Sequence, residues 1–274
     1  MIDVHTHLHP PRLFAAIRRW FAERSLWRLE APTEPHEVAA TLRAAGVERF
    51  VFCSYAHKPG MASELNAWLA QTSRDLDGYG LPLATVHLDD PDPLGDIAAA
   101  LADGCIGLKI HEDVQRLPSD DPRFDPIYEA IAAAEGFVLA HVGHIPWSDD
   151  TNDGPARIAR ILARHPRLRF VVAHFGMPDS ARYVDLLASY PNLFLDTTMA
   201  FAPSSPMNAH AGRDLVEAGA DAIVFGTDFP NTPYPYEGEL TGLEALGLAP
   251  QTLRKIVREN ALRLAPVLAR DARA

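Results

Sequence analysis

Short apolar segments rich in β-branched residues alternate along this chain with longer segments of helical periodicity. The pattern predicts eight strands, at residues 2–7, 48–55, 81–88, 105–111, 137–143, 169–176, 193–199 and 222–228. Between them the spacing is helical, as in DPRFDPIYEAIAAAEG, where apolar residues recur at i, i+3, i+4 and i+7 before Gly136 ends the segment. Strands that alternate with helices are typical of repeated βα units around a parallel sheet.

Eight βα units within 274 residues predict an α/β protein with the (β/α)8 TIM-barrel fold, formed by a single domain over residues 1–274. A doubly wound open sheet is the alternative, but the first strand lacks the Gly-rich turn with which such sheets bind dinucleotides. Residues 11–32 insert a helical segment after the first strand, and residues 229–239 form a Pro- and Tyr-rich loop after the eighth. We expect both on the C-terminal face, where barrel enzymes have their active sites.

Charge and composition narrow the possible partners and the compartment. The chain has 25 Lys and Arg against 36 Asp and Glu, a net charge of −11, and no basic stripe, so nucleic acid is not an expected partner. It has no apolar run near the ~18 residues of a membrane span and no signal-like N-terminus, which predicts no membrane association. Cys53 and Cys105 lie in apolar strand segments and are expected to be small buried side chains in a reducing cytoplasm.

Polar residues cluster at the ends of the predicted strands. Because alternate side chains of a barrel strand point inward, His5 and His7 share one face of the first strand. The same parity argument brings further polar residues to the mouth of the barrel: Lys109, His111, His141, His174 and Asp228. The set predicts a ring of nitrogen and oxygen donors at that mouth.

Imidazole and carboxylate groups are suitable ligands for a divalent transition metal, and a catalytic site leaves one position open. Zinc is the first expectation, and manganese, iron or cobalt also suit such ligands. A single His at a strand end is more often satisfied by a structural hydrogen bond, but burying the whole set without a ligand would be costly. A barrel that keeps these histidines as a non-catalytic metal or structural site is a further alternative, against which Asp228 argues.

Five motifs in order, DVHTH, KIH, AHVGH, AHFG and GTDFP, resemble the amidohydrolase superfamily. Within it they are similar to the amidohydrolase-2 branch, which also contains enzymes related to aminocarboxymuconate-semialdehyde decarboxylase. The resemblance runs from residue 1 to about residue 262, where RENALRL is similar to the Asn-Ala element of that branch's last helix.

The resemblance implies a role for each matching position. His5 and His7 would bind the metal together with Asp228, and His141 would be a further ligand. His174 would polarise the substrate or help to move a proton. The resemblance is also compatible with a homodimer.

Other residues keep more than one interpretation. In binuclear relatives a Lys at the position of Lys109 carries a carbamate that bridges two metals, whereas a free amine would bind a substrate carboxylate; we favour one metal. His111 and Trp147 are predicted to face the substrate; the alternatives are a structural role at the rim for His111 and ordinary loop packing for Trp147. Asp3 either orients a ligand or packs at the base of the barrel.

The predicted reaction is metal-dependent hydrolysis of a small organic amide, lactone or ester. A divalent metal lowers the pKa of water to about 7, Asp228 would accept the proton, and His174 would stabilise the oxyanion. Non-oxidative decarboxylation of a small carboxylic acid is the alternative. The decarboxylase-like relatives hold carboxylates with arginines, whereas the second strand here is followed by SYAHKPG, which offers Lys58.

Overall fold

The structure, a computed structural model, describes residues 1–24, 26–29, 31–142, 153–209 and 211–269. Within these ranges it contains eight strands, all paired in parallel. They are β1 (Ile2–His7), β2 (Arg49–Cys53), β3 (Gly80–Pro82), β4 (Gly107–His111), β5 (Phe137–His141), β6 (Arg169–Val172), β7 (Leu193–Asp196) and β8 (Ile223–Val224). Each overlaps one of the strands predicted from the sequence.

The strands pair in two sheets, with the orders β1-β2-β3 and β4-β5-β6-β7-β8. Backbone contacts link these sheets on both sides. On one side Ala84, just after β3, bridges Leu108 of β4, and on the other the N–H of Val4 donates to the carbonyl of Phe225 at 2.9 Å. The strands therefore follow one another around a ring, although they do not form one continuous sheet. The prediction of a (β/α)8 barrel is confirmed.

A helix follows every strand. The helices are α1 (Pro11–Glu23), α2 (Pro35–Ala44), α3 (Ala62–Asp75), α4 (Pro93–Ala102), α5 (Glu112–Gln115), α6 (Asp125–Ala133), α7 (Gly154–Arg164), α8 (Ser180–Leu187), α9 (Arg213–Ala218), α10 (Gly238–Ala245), α11 (Pro250–Arg254) and α12 (Asn260–Leu264). Helix α1 is the predicted insertion after the first strand. It starts with a proline at its first position, where the missing N–H is not needed. None of the described helices combines the length and the apolar character needed to cross a membrane.

Side chains of the strands divide into two apolar layers, as the two-residue period of a strand requires. One layer fills the barrel, where Val51, Leu139 and Val171 pack in a cluster closed by α12 and the turn after it. The other layer, which includes Phe52 and Ile110, packs against the surrounding helices. Lys109, His111 and His141 have the inward parity of the first layer and lie where their strands end. In β1 a register shift between Asp3 and Thr6 interrupts the parity, so that His7 pairs with the inward Cys53 although Ile2 and Val4 also belong to the inner layer.

Six of the strands end earlier than predicted, whereas β1 and β4 end at the predicted residues. The third stops at Pro82, which has no N–H to donate, and the N–H of Thr85 is taken by Asn66 Oδ1 at 2.8 Å. The sixth and eighth end before His174 and Asp228, whose φ angles are +57° and +64°. This left-handed conformation is strained for residues other than glycine and is often found at functional sites.

A buried ion pair links α5, directly after β4, to α7. Glu112 and Arg157 are both about 7% exposed, and the Arg157 guanidinium also has Nε 3.1 Å from Asp120 Oδ1. Burial raises the pKa of Glu112 although Arg157 opposes the shift. The pair therefore braces the base of the segment that carries Lys109 and His111.

Replacing Arg157 with methionine is expected to lower the free energy of unfolding by about 2 kcal/mol. This loss is smaller than is usual for a broken buried ion pair, because the unpaired Glu112 can take up a proton. Urea unfolding would measure the loss. Arg160→Met is the matched control, because Arg160 lies on the same helix as Arg157 and also pairs with Asp120, but is exposed. We expect this variant to lower the free energy of unfolding by less than about 1 kcal/mol. The double variant Glu112→Gln/Arg157→Met should recover part of the stability, and equal losses for Arg157→Met and Arg160→Met would contradict the account.

Candidate active site

A cavity of about 560 Å³ opens at the C-terminal ends of the strands. Most of the polar residues predicted from the sequence border it: His7, Lys109, His111, His141, His174 and Asp228. His5 lies just behind them, fully buried and in contact with Lys109 and Asp228. The predicted residues therefore meet at one place, except Trp147, which lies outside the described residues.

The centre of the site is the carboxylate of Asp228. Its Oδ1 lies 2.9 Å from His7 Nε2 and 3.3 Å from His5 Nε2. Ligand atoms about 2.0–2.1 Å from a tetrahedral zinc ion lie about 3.4 Å apart, so small shifts would let these atoms bind one ion. Two imidazole nitrogens and a carboxylate oxygen also suit zinc chemically, and the adjoining cavity leaves room for a further ligand. The residues present fit a divalent metal.

Hydrogen bonds determine which nitrogen of His5 faces the site. Nδ1–H donates to Asp196 Oδ2 at 2.7 Å, and the hydroxyl oxygen of Thr198 lies 3.0 Å from the same nitrogen. The lone pair of His5 is thereby placed on Nε2, toward Asp228 and the barrel axis. Asp196 also accepts the backbone N–H of His174 at 2.8 Å.

Asp196 was not singled out in the sequence. It closes the apolar segment LFLD of the seventh strand, just as Asp228 closes the eighth, and this shared position is the signal that could have identified it. The sequence prediction considered Asp3 for the orienting role. Asp3 instead accepts the backbone N–H of His5 at 3.0 Å and the hydroxyl protons of Thr227 and Tyr236, and among the described residues no hydrogen bond or ion pair joins it to an imidazole ring. The carboxylate that orients the His5 ring is Asp196.

Burial and charge shift the pKa values of the central groups in different directions. Burial, together with the positive charge of Lys109, lowers the pKa of His5 well below its usual value. Burial would also lower that of His7, but Cys53 and Asp228 outweigh it and raise the pKa of His7 to about 10. Burial would raise the pKa of Asp228, but His7 and His5 lower it well below its usual range. Asp228 is thus a carboxylate, and His7 must release its proton before Nε2 can bind a metal.

Lys109 reaches the same centre from β4. Its Nζ–H donates to His5 Nε2 at 2.9 Å, and its side chain is fully buried. The nitrogen that would bind a metal is therefore in contact with the amine. An ammonium group at this distance would repel a divalent cation, so metal binding requires Lys109 to move, to lose its proton or to be modified.

Three further histidines form one wall of the cavity. The rings of His111 and His141 stack with centroids 4.0 Å apart, and His141 meets His174 edge to face at 4.5 Å. No hydrogen bond or ion pair joins His141 to His5, His7 or Asp228 within the described ranges. Its role as a metal ligand stays a prediction.

His174 presents its Nε2 to the site. Its Nδ1–H donates to the carbonyl of Thr198 at 3.2 Å, and burial lowers its pKa. A neutral His174 therefore offers an acceptor, which suits proton transfer. The sequence predicts that His174 stabilises an oxyanion. Nε2 could do so only after it has taken up a proton.

Cys53 has a contact that the sequence did not predict. It is buried as expected, but its Sγ lies 3.5 Å from His7 Nδ1, and Cys53, His5 and His7 form a possible metal-binding group. The thiol also donates to the carbonyl of Thr6 at 3.3 Å and does not border the cavity. An ion held through Cys53 would be shielded from a substrate, so the Asp228 side is the better candidate for a catalytic metal.

A further part of the cavity lining comes from the insertion. Helix α1 and the residues after it contribute an apolar and aromatic surface made of Leu13, Ala16, Ile17, Trp20, Phe21 and Trp27. Two arginines also border the cavity, Arg24 at the end of α1 and Arg116 after α5. Lys58, which the sequence offered as a carboxylate-binding residue, borders a smaller adjoining pocket. The Pro- and Tyr-rich loop contributes Asn231 to the cavity, whereas its Tyr234 and Tyr236 are buried in hydrogen bonds to Glu239 and Asp3.

Solved structures resemble this fold over nearly its whole length. An uncharacterised TIM-barrel protein from Bordetella bronchiseptica is 22% identical, with a TM-score of 0.74, and the match covers 98% of this chain and 100% of that one. The 5-carboxyvanillate decarboxylase of Sphingomonas paucimobilis is 15% identical, with a TM-score of 0.72 and coverage of 97% and 98%. A probable 2-pyrone-4,6-dicarboxylic acid hydrolase from Acinetobacter baumannii is 13% identical, with a TM-score of 0.64 and coverage of 96% and 98%.

Comparison with curated protein sequences gave no significant match. The family model described as "Amidohydrolase", of the amidohydrolase-2 family, matches residues 2–266. This range includes every strand of the barrel and all the residues of the cavity described above. The chain therefore belongs to the amidohydrolase-2 family, as the motifs in its sequence suggested.

Proposed function

We propose that this chain is a metal-dependent hydrolase that acts on an amide, lactone or ester bond of a small organic molecule. The observation that carries the proposal is the Asp228 carboxylate, held between His5 and His7 beside a cavity large enough for such a molecule. Family membership supports an enzyme, because hydrolases and decarboxylases both occur among the similar structures.

The proposed metal would be bound by His5, His7 and Asp228, with His141 as a further ligand, and zinc is the first candidate. Such an ion would acidify water and polarise the carbonyl of the substrate. The Asp196 carboxylate would hold the ring of His5 in the orientation that the ion requires.

The proton would pass through Asp228. His7 and His5 hold the pKa of Asp228 well below its usual range, so Asp228 is a carboxylate at neutral pH and would be available to accept a proton from water and pass it to the leaving group. The lone pair on Nε2 of His174 offers a second acceptor within the same cavity. His111 and Lys109 border the remaining space and would contact the substrate.

Decarboxylation of a small carboxylic acid is the second candidate, and the arginines of the cavity favour it. The sequence pointed away from this reaction because no arginine follows the second strand. Arg24 and Arg116 supply guanidinium groups from other segments. The missing arginine after the second strand therefore no longer argues against decarboxylation. The similarity to a 5-carboxyvanillate decarboxylase supports the same candidate.

The products of the reaction separate the two candidates. Zinc- and manganese-loaded protein would be incubated with a panel of esters, lactones and anilides and with a panel of aromatic and unsaturated carboxylic acids. A pH indicator would detect acid released by hydrolysis, and trapping of CO2 would detect decarboxylation. Turnover that survives both His5→Ala and a chelator would contradict a metal-dependent reaction of either kind.

Metal content gives a prediction that needs no substrate. We expect about one equivalent of metal per chain in protein purified without chelators, and loss of that equivalent in His5→Ala, because His5 Nε2 faces the site. Elemental analysis would measure both. Two equivalents that fall to one in Lys109→Ala, with bicarbonate aiding reconstitution, would instead support a carbamate on Lys109. No metal after reconstitution would remove the basis of the proposal.

A further inference from the structure

The two histidines of β1 are in contact with different kinds of group on the side away from Asp228. Nδ1 of His5 faces the carboxylate of Asp196 at 2.7 Å, whereas Nδ1 of His7 faces the sulfur of Cys53 at 3.5 Å. The other ring nitrogen of His7, Nε2, lies 2.9 Å from Asp228 Oδ1. The imidazole of His7 is therefore held between a thiol and the carboxylate at the centre of the site.

The contact between His7 and Cys53 follows from the pairing of two strands. β1 and β2 are parallel, with His7 opposite Cys53 in the register. Cys53 is fully buried and belongs to the apolar layer inside the barrel, together with Val51 and Leu83. A carboxylate at this position would be costly to bury, whereas a thiol is a small apolar side chain that still forms weak hydrogen bonds.

The proton of the thiol is directed away from His7. Sγ donates to the carbonyl of Thr6 at 3.3 Å, and a thiol has one proton to donate. The sulfur therefore meets Nδ1 of His7 as an acceptor, and the hydrogen bond requires a proton on Nδ1. A neutral imidazole with its proton on Nδ1 has its lone pair on Nε2, which is the nitrogen that faces Asp228.

We infer that Cys53 is a positioning residue for His7, whose sulfur accepts the Nδ1–H of that ring and thereby keeps the lone pair of Nε2 toward the metal. The inference rests on the proposed function in that His7 is a ligand of a divalent ion. The alternative is that Cys53 binds the ion itself, since His5, His7 and Cys53 offer ligand atoms within 4.8 Å of one another. Direct binding would need a thiolate and would break the hydrogen bond to Thr6, whereas the positioning role keeps both contacts of the sulfur.

Two substitutions of Cys53 separate positioning from packing. Cys53→Ser keeps a side chain that can accept Nδ1–H and donate to Thr6, whereas Cys53→Val keeps the apolar packing but has no acceptor. We expect zinc affinity to fall about threefold in Cys53→Ser and about tenfold or more in Cys53→Val, while thermal stability follows the opposite order. A purely structural cysteine would give the same order in both measurements, because serine is the less favourable residue at a buried apolar position.

Cys105 provides the matched control. It is buried like Cys53 and lies in the segment just before β4, and among the described residues no hydrogen bond joins its thiol to a histidine. Cys105→Ser and Cys105→Val should change thermal stability in the same order as the variants of Cys53. Both should leave zinc affinity unchanged, measured by competition with a chromophoric chelator.

Two spectra report directly on Cys53. Cobalt bound in place of zinc shows a thiolate-to-metal charge-transfer band when a cysteine is a ligand, and we expect no such band. NMR of protein with 15N-labelled histidine rings would follow the Nδ1–H of His7 in the metal-free and in the zinc-loaded protein. One ring N–H resonance should move in Cys53→Ser and leave the hydrogen-bonded range in Cys53→Val, while both variants of Cys105 keep the original spectrum.

Each of three results would contradict the inference. A charge-transfer band that disappears in Cys53→Ser would make Cys53 a ligand, and a zinc affinity in Cys53→Val at or above that of Cys53→Ser would assign the cysteine to packing. A spectrum in which every ring N–H resonance stays in place in both variants would remove the hydrogen bond. Failure of the unchanged protein to bind any metal contradicts the proposed function, whereas these results in a metal-binding protein contradict only the role of Cys53, so the two failures are distinguishable.

Discussion

Asp228→Asn is expected to reduce kcat by about 10³-fold or more while the barrel stays folded. The asparagine keeps the size of the side chain, and its oxygen can still accept the N–H of His7. The amide has no negative charge and cannot take up a proton, so it loses the contribution of a general base, which is typically 10²- to 10⁴-fold. The attraction that the carboxylate exerts on a divalent ion is lost as well.

Two measurements separate these effects. Turnover would be followed with the best substrate from the panel, and metal content by elemental analysis of the same samples. If metal stays bound while kcat falls, Asp228 acts on the proton; if both fall together, its main role is as a ligand. Thermal melting and circular dichroism would show that the fold is retained.

The matched control is Asp214→Asn, which removes an exposed carboxylate from α9 and should leave both turnover and metal content unchanged. Asp228→Glu keeps the charge but moves it by one methylene, and we expect partial activity. Turnover of Asp228→Asn at the level of the unchanged protein would remove Asp228 from the mechanism.

The barrel could be predicted because its pattern is local. Each strand is a short apolar segment, and the inward parity of a strand determines that His5 and His7 share a face and that Lys109 lies beside them. The ends of the strands could not be predicted in the same way. The left-handed backbone at His174 and Asp228 depends on contacts with other strands, such as the N–H of Asp228 that donates to the carbonyl of His5 at 2.8 Å.

The parts of the site that the sequence did not reveal depend on contacts between distant residues. Asp196 is 191 positions from His5, and nothing in LFLD indicates that its side chain reaches an imidazole of the first strand. Arg24 and Arg116 lie at the ends of helices, where an arginine is usually solvated, and only the arrangement of the segments brings them to one cavity. The proposed ligand residues could therefore be predicted from their positions on the strands, whereas the groups that orient them could not.

Asp196→Asn is expected to weaken metal binding about 100-fold and to reduce turnover by about 10³-fold, although Asp196 contacts neither the cavity nor the proposed ligand atom of His5. The reason is the tautomer of His5. Asp196 accepts the Nδ1–H of His5 through Oδ2, while its Oδ1 accepts the backbone N–H groups of His174 and Thr198 at 2.8 and 3.0 Å.

An asparagine would keep its oxygen toward those two N–H groups and turn its NH2 toward His5. Nδ1 would then have to accept a hydrogen bond, and the proton of the ring would move to Nε2. A protonated Nε2 has no lone pair for a metal, so His5 would no longer bind the metal although His5 itself is not mutated. The same change in shape and charge at a carboxylate that does not touch the ring should have no such effect.

Asp3 provides that comparison within the same barrel. It is fully buried like Asp196, burial raises its pKa to about 7, and it bonds to the backbone of His5 and to two hydroxyls. Asp3→Asn should therefore leave zinc affinity within about threefold of the original value, since a single weakened hydrogen bond to a neutral donor changes an equilibrium by about that factor.

Titration of the metal-free proteins with zinc against a chromophoric chelator would measure both affinities, and the pH dependence of zinc binding would report the change at His5. If Asp196 positions the ring, Asp196→Asn should lose zinc affinity whereas Asp3→Asn should not. Asp196→Glu should recover part of the affinity, because its carboxylate again accepts a hydrogen bond from Nδ1–H. Equal losses in Asp196→Asn and Asp3→Asn would mean that the barrel tolerates no neutral side chain at either place. Unchanged affinity in Asp196→Asn would show that the metal does not depend on Nε2 of His5 and would contradict a ligand set that includes this atom.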